Sequence, residues 1–192
     1  MRMAAAPRIL LAAGFWTLAL CGLVANEGLA RRGGQEVLLP MEAVDPRSIL
    51  SGHYVALSLT RRLDQSETCP PDGDWKWVAL RRSGDIYIAA GGATSRDEAQ
   101  QIGLPVRGTF TCSQPSAQNG DVPAQAGWLS LNVGVERFHI NQTDAERIER
   151  VLRAQSVNEQ TRAFAIVSIG QDGHARLKGV MIDGQRLELN WL

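Results

Sequence analysis

Three sets of side chains in this chain could carry chemistry: histidines that could hold a metal, serines with a lysine that could form a nucleophile and its base, and cysteines that could pair. His53, His139 and His174 fall on three separate strands or turns, with no short ligand spacing between any two. Metal sites are built on such spacings, so these histidines read as strand-edge or surface residues, and neither a metal nor a cofactor is expected. Ser48 and Ser51 precede Gly52, and Lys76 follows at a distance. A serine nucleophile needs its base within hydrogen-bond reach, and nothing in the spacing places Lys76 there. Trp75 and Trp77 flank Lys76 and could form an aromatic platform for a small ligand, although two tryptophans on one strand face more commonly fill a core. The chain contains no phosphate loop, no GxSxG elbow and no zincin helix.

The elements that must position these residues are mostly strands. Val55, Leu57 and Leu59 alternate with Ala56 and Ser58, the period of a half-buried strand over residues 54–60. Residues 37–39 open the domain, residues 75–82 and 86–90 form a hairpin around Ser83-Gly84-Asp85, and Leu129, Leu131, Val133 and Val135 alternate again before residues 137–140. Three closing strands, near residues 163–169, 175–182 and 186–191, are joined by Gln171-Asp172-Gly173 and Asp183-Gly184 and predict a meander. One amphipathic helix is expected where Thr143 and Glu146 make a capping box ahead of Ile148, Val151 and Leu152. Residues 113–126, rich in Pro, Gln, Ser and Gly, read as a loop.

Charge excludes one class of partner. The chain balances 20 basic against 20 acidic residues, so nothing in bulk electrostatics calls for nucleic acid. The N-terminal segment is more telling, because an almost unbroken apolar run over residues 9–25 lies between Arg8 and Glu27. Its length is at the lower end for a membrane span and long for a cleaved signal. A retained anchor is the favoured reading, although Gly28-Leu29-Ala30 would suit a signal peptidase. Residues 1–34 are therefore read as anchor and Gly-Gly linker, and residues 35–192 as one domain. Arg31 and Arg32 offset the basic residues before the run, so charge alone leaves orientation tied. The short N-terminal tail favours an inner-membrane protein with its domain on the periplasmic side. Cys69 and Cys112 would then meet an oxidising compartment, where they pair or stand as two separate thiols. A bridge would close a loop worth about 4 kcal/mol.

The segment from Val44 to Leu59 resembles the GDYXXLXY family of bacterial membrane-anchored proteins. Asp45, Pro46, Arg47, Gly52, Tyr54 and Leu57 fit its motif, whereas His53 replaces the family acid and Leu59 the last tyrosine. Gly134-Val135-Glu136-Arg137-Phe138 and the stretch from Gly173 to Gly184 are similar to two further family blocks. The resemblance implies a β-rich domain behind one anchor, encoded beside multi-spanning membrane proteins, and no particular reaction. Most of the motif has a structural explanation: Asp45 and Pro46 suit a turn and Gly52 a special backbone angle. A binding surface around Arg47, His53 and Tyr54 is the alternative, in which His53 could titrate near neutral pH. A turn with proline followed by glycine and a strand also appears in serine-lysine signal peptidases, but Val44 stands where their nucleophile would be. The fold expected is mainly β (α+β), with one transmembrane helix and one short amphipathic helix. The function expected is a non-enzymatic accessory or interaction subunit of a membrane complex, ahead of a periplasmic serine-lysine hydrolase or a small-ligand-binding module.

Overall fold

A computed structural model describes residues 5–41, 54–64, 66–116, 127–135, 137–139, 163–182 and 184–188. The chain opens with α1 (Ala5–Gly33), a single helix. Pro7 occupies its first turn, where the missing N–H would have no helical partner anyway, and Arg31 and Arg32 close its last turn, against the negative end of the helix dipole. At 1.5 Å per residue its 29 residues run about 43 Å, longer than the roughly 30 Å hydrocarbon core of a bilayer. The large apolar side chains from Ile9 to Leu29 are exposed. The stretch Pro7–Gly33 is the one described helix long and apolar enough to cross a membrane.

After α1 come β1 (Gln35–Pro40), β2 (Tyr54–Ala56), β3 (Leu59–Leu63), β4 (Trp77–Ser83), β5 (Ile86–Ala93) and a short helix, α2 (Arg96–Ile102). Then follow β6 (Leu104–Arg107), β7 (Thr109–Ser113), β8 (Gly127–Asn132), β9 (Arg137–His139), β10 (Ala163–Ile169), β11 (Ala175–Ile182) and β12 (Gln185–Glu188). The described strands form four antiparallel sheets, in the orders β1-β10-β11-β12, β2-β9, β3-β8-β7 and β5-β4-β6.

One core joins three of these sheets. Val37 and Leu39 of β1, Leu59 and Leu63 of β3, Val78 and Leu80 of β4, Leu129 and Leu131 of β8, and Val167 and Val180 of the closing strands all bury into a single cluster. The alternation that marks β8 in the sequence continues past its end through Val133 and Val135, and all four of its apolar residues are buried. Under α2, Ala79, Ala93 and Ala99 form a small satellite against Trp77, because only methyl groups fit where a helix lies this close to a sheet.

The structure refines the sequence reading at several places. The expected strand over residues 54–60 is two strands, β2 and β3, with Leu57 buried between them. The Gly-Gly linker is no loose tether: Gly33 ends the helix, and Gly34 packs so tightly that a Cβ there would collide with the Ser168 hydroxyl and the Ile169 backbone. The stretch from Ser95 to Ser113, given no elements from the sequence, forms α2, β6 and β7. The helix expected from Thr143 to Leu152 lies outside the described residues. The closing meander is present, and β1 extends it by pairing along β10 from Gln35↔Ile169 to Pro40↔Phe164.

Candidate functional site

Of the family-motif residues, Asp45, Pro46, Arg47, Gly52 and His53 lie outside the described residues. Tyr54 begins β2, and its backbone lies opposite His139 of β9, with Ala56 opposite Arg137. The two motif stretches, far apart in sequence, are therefore adjacent strands. Leu57 is 3% exposed and belongs to the main core, which is the packing role its spacing suggested.

The third motif stretch, in β11 and the turn before it, builds the best-defined polar arrangement among the described residues, at the junction of helix and sheet. Arg176 donates from Nε to Glu27 of α1 at 2.8 Å and from Nη2 to Asp172 at 2.9 Å. Asp172 also accepts the backbone N–H of His174, which shapes the turn. The arginine holds the Asp172 carboxyl well below the usual carboxylate range, and Asp172 first, then Glu27, hold the Arg176 guanidinium well above its ordinary value. Gly173 closes this turn at a φ of 78°, a backbone region open mainly to glycine, and a Cβ there would enter the Trp77 ring.

A second ion cluster bridges the first and last strands of the same sheet. Glu36 of β1 lies opposite Ser168 of β10, which in turn lies opposite Arg176 of β11. Serine is small, so Glu36 reaches past that position to Lys178 of β11 at 2.7 Å and to both terminal nitrogens of Arg186 on β12 at 2.7 and 3.0 Å. Arg186 above all, then Lys178, lower the Glu36 pKa to about 2. Charge thus ties α1 to β11, and β1 to β11 and β12.

The other sequence candidates fall elsewhere. Cys69 and Cys112 form a disulfide, with Cα atoms 5.8 Å apart. Trp75 and Trp77 are not a shared platform: Trp75 packs on the main core and donates its indole N–H to the Pro71 carbonyl, whereas Trp77 packs on the alanine satellite with the Arg107 guanidinium 5.0 Å above its ring. Lys76 is exposed, and Ser48 and Ser51 lie outside the described residues. Ser168 is fully buried, and its hydroxyl has no hydrogen-bond partner among the described residues. His174 is exposed, His139 is described by its backbone alone and His53 lies outside the described residues. Among the described residues no three His, Cys, Asp or Glu side chains gather as metal ligands would.

Sequence reasoning did not find an open cleft of about 410 Å³ beside the junction. It lies between the end of α1, α2 and the β10–β11 turn, lined by Gln35, Arg96, Gln100 and Gln171 with the backbones of Gly33 and Gly170. No carboxylate is among its lining residues. One available signal was the pair Ser95 and Glu98, a capping box that fixes α2 and so places Arg96 and Gln100.

The family model described as GDYXXLXY protein matches residues 16–180, from within α1 to within β11. No curated protein and no solved structure matches the chain.

Proposed function

The chain belongs to the GDYXXLXY family, and from that premise we propose that it is a single-pass protein of the bacterial inner membrane, a non-enzymatic accessory subunit whose periplasmic domain docks beside a multi-spanning partner. The observation that carries this reading is the close packing of the junction. A domain that merely needed tethering would hang on a flexible linker. Here Gly34 is wedged against β10, Glu27 is clamped by Arg176, and β1 follows the helix after a single residue. A helix and sheet joined in this way hold the domain at a fixed height and angle, which serves a subunit that must meet both the spans and the exposed loops of a neighbour.

Two features support the remaining parts. The Cys69–Cys112 bridge suits an oxidising compartment and hence the periplasmic side. Along α1, Ala13, Thr17, Cys21 and Ala25 recur every fourth residue, and Thr17 satisfies its hydroxyl on the Ala13 carbonyl. Such a row lets another helix approach closely within lipid.

The test is crosslinking in intact membranes with the full-length tagged protein, followed by gentle detergent purification and mass spectrometry. One dominant multi-spanning protein is expected. Recovery of the protein alone, with crosslinking efficient on a known complex in the same membranes, would refute the accessory role.

A further inference from the structure

The membrane span sets the height of everything attached to it. The apolar run ends at Ala25, and Glu27, two residues beyond, is bound to Arg176. The turn between β10 and β11 therefore stands beside the helix where it leaves the hydrocarbon. Counted from Ile9, a hydrocarbon core of roughly 30 Å takes about 20 residues, which places Gly33 about 7–8 Å beyond it, within a headgroup layer roughly 5–8 Å thick. The cleft beside the junction is lined by Gly33 at the end of the helix together with Gly170 and Gln171 of that turn, so it lies at the level of the headgroup layer.

Its chemistry is that of an anion site. Arg96 is exposed and supplies a planar guanidinium, the group best matched to phosphate oxygens. Gln35, Gln100 and Gln171 add amide donors. At the junction Glu27 and Asp172 are both engaged by Arg176, while Asp97 follows Arg96 in the first turn of α2. Arg32, exposed in the last turn of α1, adds positive charge at the same level.

We infer that this cleft binds the phosphate of an anionic phospholipid headgroup, with Arg96 as the principal ligand. The inference rests on the proposed membrane anchoring. Lipid bound there locks the domain down onto the bilayer and fixes the face it offers to a partner.

The experiment compares full-length wild type with Arg96→Gln, each purified in mild detergent, supplied with phosphatidylglycerol or phosphatidylcholine, and weighed intact by native mass spectrometry. Arg96 is exposed and outside the core, so the variant folds; a melting curve checks this. Wild type is expected to retain phosphatidylglycerol over phosphatidylcholine, and Arg96→Gln to lose about fivefold of that retention, the contribution of one basic residue at an anionic surface. Equal retention in both proteins overturns the assignment. Protection of wild type, but not Arg96→Gln, by inorganic phosphate without any retained lipid would assign the cleft to free phosphate and overturn the lipid. Alkaline carbonate extraction separates this from the anchor itself: protein released by carbonate refutes the anchor, whereas protein that stays in the membrane with unchanged lipid retention refutes the cleft alone.

Discussion

Replacing Cys69 and Cys112, partly buried against the main core, with alanine should lower stability by several kcal/mol. The bridge joins residues 43 apart, and between them lie β4, β5, α2 and β6, a whole sheet with its helix. It therefore fastens the two ends of that unit where β3 and β7 flank β8. In the chain-entropy account, freeing a loop of this length gives the unfolded chain back about 4 kcal/mol. For a domain of this size each kcal/mol moves the melting temperature by about 2–4 °C, so the double variant should melt about 8–16 °C below wild type. Tryptophan fluorescence of the full-length protein in mild detergent follows the transition. Reductant should bring wild type down to the variant and leave the variant unmoved. A variant that melts within about 2 °C of oxidised wild type would refute the reasoning, showing that the unfolded chain is already constrained or that the sheet holds itself in place.

Three further outcomes follow from the packing and the charges. Leu39→Ala, at a position 1% exposed in the main core, should cost about 2–5 kcal/mol, read as a lower denaturant midpoint at an unchanged slope. Gly34→Val drives a branched side chain into the Ser168 hydroxyl and the Ile169 carbonyl; a loss of about 1–3 kcal/mol is expected, with new protease cleavage near residue 34, and an unchanged cleavage pattern would contradict a rigid junction. The Glu36 pKa falls from 4.5 unfolded to about 2 folded, so its stabilisation is complete above pH 4.5 and disappears as pH drops toward 2. The cluster is a third exposed and screened by solvent, so Glu36→Gln should flatten that acid limb by only about 1 kcal/mol; identical limbs in the two proteins would show that the carboxylate adds nothing.

Much of the fold could be read locally. Leu57 and Leu59, the four alternating residues from Leu129 to Val135, and the hairpin at Gly84 all reported themselves through the period of two and through turn residues. The apolar run did the same for α1. The region from Ser95 to Ser113 was missed for three physical reasons. The helix there is only seven residues long, too short for a periodic signal, though its capping box was visible. β6 contains Pro105, which argues against a strand unless the strand is an edge, as β6 is. β7 carries polar residues on one face and shares the other between Phe110 and Cys112. For the site, the residues of the closing block were visible as a family motif, but their partners were not: Glu27 is 149 positions from Arg176, and Glu36 is 150 from Arg186.

The sequence by itself determined which face of each alternating strand is buried and which segment is a helix long and apolar enough to span a bilayer, because both depend on a periodicity or a run contained in the segment. Tertiary structure alone decided that β1 pairs with β10, that β2 meets β9, that Cys69 reaches Cys112, and that Glu27 of the helix is bound by Arg176 of the sheet. Alternation says which face of a strand is wet, but it is the same for every possible neighbour. Choosing among neighbours needs the whole core to close at once, and only then do Glu27, Glu36 and the arginines of the last two strands arrive within bonding distance.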